Sequence, residues 1–216
     1  MYTHTKLKND MSHFVTMVIG FDPEKQLAPY NENMKVDEYC NGELSEEDKQ
    51  GMLNYYNEKR DAPYKDFDEC YAENGEAWDG NRCRKNDAGV WCEYSTYNPQ
   101  SKWDWYVLGG RWSGEILKLK EGATSGIIGQ KVWCAKTEGY DAALKKDIDF
   151  EAMYREDKDW APYAFVKDSK WVGRGDMGWF GISINNSPKE EWAAKVRELI
   201  ESLPDDTLIS MYDCHI

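Results

Sequence analysis

The chain has 216 residues, 14% of them aromatic, with 40 acidic against 27 basic side chains and a formal net charge of −13. With a mean hydropathy of −0.82, this predicts a soluble globular domain with enough bulky side-chain area for a core. The charge argues against a general nucleic-acid binder, whose affinity comes from neutralising phosphates. No run approaches the ~18 apolar residues of a membrane span.

The first ten residues, MYTHTKLKND, lack the apolar segment of a secretory signal. Met11 reads as a start, so 1–10 is expected to be an extension and 11–216 a single domain. HFVTMVIG (13–20) reads as a buried strand. Ser45 opens a helix, SEEDKQGMLNYYNEKRD, with Asp48 as its capping partner and Met52, Leu53, Tyr55 and Tyr56 on its apolar side. Residues 61–80 look irregular, within an acidic insertion spanning about 31–80. Residues 82–95 read as a hairpin, 103–108 as a strand, and GEILKLK (114–120) as a strand returning from the Gly109–Gly110 turn. EGATSGIIGQ reads as a loop and KVWCA as a further strand. Residues 140–158 show a helical pattern through Ala143, Leu144, Ile148 and Met153. YAFVKDSKWVG reads as a hairpin turning at Asp168 and Ser169, and WFGISIN as a strand. In SPKEEWAAKVRELIESLP, Ser187 is expected at the N-cap, Pro188 at N1 and Glu190 at N3, with Trp192, Val196, Leu199, Ile200 and Leu203 on one face. DTLISMYDCHI closes the chain as a strand. The class is α+β, and the order suggests a ferredoxin-like antiparallel sheet with helices on one face and inserted hairpins.

Six cysteines (Cys40, Cys70, Cys83, Cys92, Cys134 and Cys214) contain no CxxC pair and are expected as reduced thiols in a cytoplasm. Cys83 and Cys92 flank the turn RKNDAGV. A two-residue turn would set them opposite each other, as a disulfide or half a zinc site. A turn with a bulge at Gly89 would send them to opposite faces.

Three constellations carry chemistry. The stretch SKWDWYVLGGRW (101–112) puts Trp103, Trp105 and Val107 on one strand face, as a core would, and follows them with a glycine turn bearing Arg111 and Trp112. Arginine beside tryptophan suits stacking on a flat ligand and gripping a carboxylate or phosphate. The structural alternative is a hairpin in which Arg111 pairs with Asp104. GRGDMGWFG (173–181) spells GxGxxG, but a β-type run follows where a dinucleotide site needs a helix. What survives is a second glycine turn carrying Arg174, and the two arginines could frame an anion pocket. Third, the last strand of a ferredoxin-like sheet lies antiparallel to the first. That brings His13 to Asp213 and His215, a set fit for one divalent metal, for acid–base catalysis, or for ordinary hydrogen bonding.

MSHFVTMVIGFDPEKQLAPY, YNPQSKWDWYVLGGRWSG, GDMGWFG and the closing LPDDTL…DCHI resemble a family of uncharacterised proteins from tailed bacteriophages and their bacterial hosts. The tryptophan-rich motif is the most specific part of the resemblance. It implies a small phage-encoded accessory protein in the bacterial host cytoplasm, and it carries over no catalytic residue.

Three functions are therefore expected in competition. The first is a non-catalytic protein binding a small anionic or nucleotide-like ligand through Trp105, Arg111, Trp112 and Arg174, to counter a bacterial defence. The second is a metal-assisted or acid–base hydrolase centred on His13, Asp213 and His215. The third is an inhibitor that docks on a host defence protein through its acidic surface.

Overall fold

The computed structural model describes residues 12–132, 139–155, 157–178 and 182–216. The expected extension at 1–10, KVWCA beyond Val132 and the start of WFGISIN (179–181) lie outside the described residues. The first half contains β1 (His13–Ile19), α1 (Pro23–Leu27), β2 (Tyr39–Glu43), α2 (Glu46–Asn57), α3 (Phe67–Asp79), β3 (Cys83–Lys85) and β4 (Trp91–Ser95). There follow β5 (Trp105–Gly110), β6 (Gln130–Lys131), β7 (Ala142–Leu144), α4 (Phe150–Tyr154), β8 (Ala164–Lys167) and β9 (Lys170–Gly173). The chain closes with β10 (Asp176–Met177), β11 (Ser183–Ile184), α5 (Lys189–Ser202) and β12 (Leu208–His215).

The chain divides into two compact units, one of residues up to Met34 with Pro99–Ile216, the other of Lys35–Asn98. The acidic segment expected as a partly irregular insertion over about 31–80 thus belongs to a folded unit that continues past residue 80. It holds a three-stranded sheet in the order β2-β4-β3, with α2 and α3. As the sequence suggests, Ser45 caps α2, accepting from the Asp48 amide at 3.0 Å. Helix α3 replaces the irregular stretch expected over 61–80. Asp66 accepts from the Glu69 amide at 2.9 Å, the Glu69 carboxylate accepts from the Lys65 amide at 2.8 Å, and Gly80 at φ 72 ends the helix. Its Phe67, Cys70 and Tyr71 pack with Met52, Tyr64 and Cys83.

In the β3–β4 hairpin Gly89 has φ 78, and Cys83 lies opposite Glu93 while Arg84 lies opposite Cys92. That one-residue offset sends the two thiols to opposite faces, so neither a bridge nor a shared zinc is built there. Burial, then Asp79, pushes the Cys83 thiol up to about 12, and burial, with a smaller push from the neighbouring Asp213, takes Cys214 to about 12. Both ionise in their ordinary range only once the chain unfolds. Their contribution to stability is therefore intact at neutral pH and falls as pH climbs from that range toward 12. Alkylation of native protein at about pH 8 should mark the exposed Cys40 and spare Cys83 and Cys214 until denaturant is added.

The larger unit is built on a seven-stranded sheet of order β6-β5-β12-β1-β8-β9, with β7 also paired to β12. β12 lies antiparallel to β1, as expected. The sheet is not the antiparallel ferredoxin-like one, because β8 runs parallel to β1 and β6 runs parallel to β5. A ferredoxin-like order would place the second strand of the β8–β9 hairpin beside β1, whereas the first strand occupies that position. The hairpin itself turns at Asp168 and Ser169, with φ 51 and 57, as the sequence indicates.

Helices cover both faces rather than one. Trp192, Val196 and Ile200 of α5 pack on Met17, Ile19, Phe165, Ile209 and Met211. Leu27 of α1 and the adjoining Tyr30 pack with Phe14, Val18, Val166 and Tyr212 on the other face. Burying each such side chain contributes roughly 1.5–3 kcal/mol. α5 starts one residue later than expected, with Pro188 at its N-cap and no side-chain cap. Ser187 instead accepts from Arg174 Nε through its carbonyl at 2.9 Å.

Two further expectations fail for identifiable reasons. Residues 140–158 form no single helix, because Ala142 and Ala143 are buried in β7 and pair with Ser210 and Ile209. Only α4 remains, capped by Asp149 on the Ala152 amide at 2.9 Å. GEILKLK forms no strand, since Leu117 and Leu119 make isolated bridges to Tyr140 and Ile148. Gly109 and Gly110, at φ 81 and 58, bend the chain back into turns in place of a hairpin.

Candidate active site

Three strand ends meet at one place. The β1–β12 register sets His13 opposite His215 and Val15 opposite Asp213, while β5 brings Trp105 opposite His215 and Val107 opposite Asp213. Strand alternation puts His13, Asp213, His215 and Trp105 on the face that also carries Met17 and Met211. The convergence of His13, Asp213 and His215 expected from the sequence is present. The tryptophan pair is not, because Trp103 precedes β5 and is buried against Tyr106 on the opposite face, while Trp105 is 42% exposed.

Each histidine has its own carboxylate. His13 Nδ1 lies 2.8 Å from Asp213 Oδ1, and His215 Nδ1 lies 2.7 Å from Asp104 Oδ1. The two rings are edge-to-face with centroids 4.7 Å apart, and Trp105 stands 6.0 Å from His13. A carboxylate only accepts, so Nδ1 of each ring donates the proton and Nε2 becomes the reactive position. No described residue is hydrogen-bonded to either Nε2.

The two pairs differ in setting. The Asp213 side chain is fully buried beside a His13 that is 13% exposed, whereas Asp104 and His215 are each 33% exposed. Asp213 Oδ2 accepts the Arg111 amide at 3.0 Å. Only glycine fits the preceding position, since a Cβ on Gly110 would come within 2.4 Å of Asp213. Next to it, the buried Asp141 accepts from Ser113 Oγ at 2.8 Å and from the Gly114 and Gly129 amides at 2.7 Å each. These bonds fasten the turn that lies over the site.

The arrangement does not form the expected metal set. Among the described residues, no group of three or more His, Cys, Asp or Glu side chains is placed to hold a metal ion. Both oxygens of Asp213 are engaged, Oδ1 by His13 Nδ1 and Oδ2 by the Arg111 amide.

Of the expected ligand contacts, Trp105 and the Arg111 amide belong to this site. Trp112 lies in the turn, its amide donating to Gly109 at 3.2 Å. Arg174 does not join them. It follows β9 while Arg111 follows β5, and β12, β1 and β8 lie between. At about 4.8 Å per strand, those two strands are roughly 19 Å apart, so the two arginines frame no common pocket. The residue that sequence reasoning missed is Asp104 as the partner of His215. Its backbone amide also donates to the His215 carbonyl at 3.0 Å, a pairing that follows from β5 lying beside β12.

Comparison with known families, curated proteins and solved structures gives no match to this chain.

Proposed function

We propose that the chain is a hydrolase acting by general acid–base catalysis, with His13 and His215 as the two proton-transfer groups. The observation that carries this reading is the paired arrangement: two imidazoles 4.7 Å apart, each oriented through Nδ1 by its own aspartate. The neutral ring accepts at Nε2 a proton from the attacking water, and the other ring, entering as imidazolium with both nitrogens protonated, delivers its Nε2 proton to the leaving group. Asp213 and Asp104 are positioning residues that fix the tautomer and stabilise the imidazolium. The two pairs sit in unlike surroundings, Asp213 being buried and Asp104 33% exposed. Trp105 offers a flat apolar surface beside His13 for the substrate. The resemblance to tailed-phage proteins implies a small accessory protein and carries over no activity, so this reading rests on the site alone.

A panel of nitrophenyl carboxylate esters, phosphomonoesters and phosphodiesters tests the reading with the full chain and His215→Ala. Turnover of one class with a bell-shaped pH profile, lost by about 10²-fold or more in the variant, is expected. Turnover of none of them, or turnover equal in the variant, would contradict it.

A further inference from the structure

The larger unit carries a second feature with a different chemistry. A cleft of about 840 Å³ opens beside the edge strand β9, lined by Tyr30, Lys102, Lys170, Trp171, Arg174 and Asp176 among others. That volume lies within the range of small-ligand sites. Three cations and one carboxylate among these side chains reverse the sign of a chain whose net charge is −13. The carboxylate is engaged, since Asp176 Oδ2 accepts from Asn185 Nδ2 at 2.9 Å.

Arg174 is held in place before any ligand arrives. Its amide donates to the Tyr163 carbonyl at 2.8 Å, its carbonyl accepts the Ser187 amide at 2.8 Å, and Nε donates to the Ser187 carbonyl at 2.9 Å. Among the described residues no carboxylate pairs with it, so its terminal nitrogens suit a bidentate grip on an oxyanion. Trp171 is fixed as well. Its amide donates to Tyr30 Oη at 2.8 Å, that hydroxyl donates to the Ser169 carbonyl at 2.8 Å, and the Tyr30 and Trp171 rings lie 5.3 Å apart. The half-buried indole gives a preset surface for a flat ring.

From the oxyanion fork, the two lysines and the aromatic wall, we infer that this cleft binds a nucleoside phosphate. The phosphate lies on Arg174 and Lys102, and the base lies against Trp171. The site is separate from the histidine pair and stands or falls independently of the proposed catalysis.

Calorimetric titration of the full chain with ADP, GDP, UDP, adenosine and inorganic phosphate tests the inference, alongside Arg174→Gln, Lys102→Gln and His13→Ala. At least one nucleotide should bind, more tightly than either adenosine or phosphate. That binding should weaken by about tenfold in Arg174→Gln and measurably in Lys102→Gln, and remain unchanged in His13→Ala. The lysine variant guards against a fold defect, because it leaves the Ser187 clamp in place. The inference is overturned if no nucleotide binds, if phosphate alone binds as tightly, if binding survives both cleft variants, or if His13→Ala abolishes it.

Discussion

Asp141→Ala should lower the stability of the fold by about 3–5 kcal/mol, among the largest effects of any single substitution outside the apolar core. Its carboxylate is buried and accepts from Ser113 Oγ and from the Gly114 and Gly129 amides. Bonds to a charged acceptor contribute more than neutral ones, and removing the acceptor leaves buried donors with no water to replace it. The loss is compounded by position, because the Asp141 carbonyl also receives the Met211 amide at 2.7 Å and so ties this turn to β12. Asp141→Asn should cost less, since one amide oxygen still accepts. Urea unfolding followed by circular dichroism measures both. A shift under about 1 kcal/mol for the alanine variant would contradict the account of how the Gly109–Gly110 turn is held.

Asp213→Asn should have the opposite profile, with a small effect on folding and a large one on turnover. An asparagine has one acceptor oxygen where the aspartate has two, and two donors now compete for it, the Arg111 amide and His13 Nδ1. If the oxygen stays with Arg111, the amide nitrogen faces His13 and turns the ring to the tautomer with its proton on Nε2. A base whose reactive nitrogen is already protonated cannot accept the proton, and a wrong-tautomer change of this kind costs up to about 10⁴-fold in the serine-protease triad. Asp104→Asn should be milder, because that pair is partly exposed and solvent offsets some of the loss. Steady-state rates on whichever ester class the protein turns over decide this. Equal, near-wild-type rates for both variants would remove the two aspartates from the mechanism.

Much of the site was legible because its parts are local or fixed by strand pairing. β1 and β12 announce themselves as β-rich runs, and their antiparallel pairing alone brings His13 to Asp213 and His215. α5 and the β8–β9 hairpin follow from their caps, apolar spacing and turn residues. α3 was also within reach, since Asp66, Glu69 and Gly80 are ordinary helix boundaries, but the density of charge around them masks the apolar spacing of Phe67, Cys70 and Tyr71. Other features are set by tertiary burial. Ala142, Ala143 and Ile148 fit a helical pattern equally well, and the pairing of β7 with β12 decides against it. The parallel neighbour of β1 was not readable either, because β1 and β8 are joined by a long stretch containing a whole second unit, which leaves strand order unconstrained by sequence proximity. Asp104 was hidden for the same reason, as its role appears only once β5 lies beside β12.

The account rests on two imidazoles whose Nδ1 protons are held by carboxylates, and long-range proton–nitrogen NMR correlation reads this directly. With the rings neutral, His13 and His215 should both show the tautomer protonated at Nδ1. His13 should revert to the Nε2-protonated form in Asp213→Asn, and His215 in Asp104→Asn. Finding both rings protonated at Nε2 in the unaltered protein would contradict the paired arrangement, and with it the acid–base assignment.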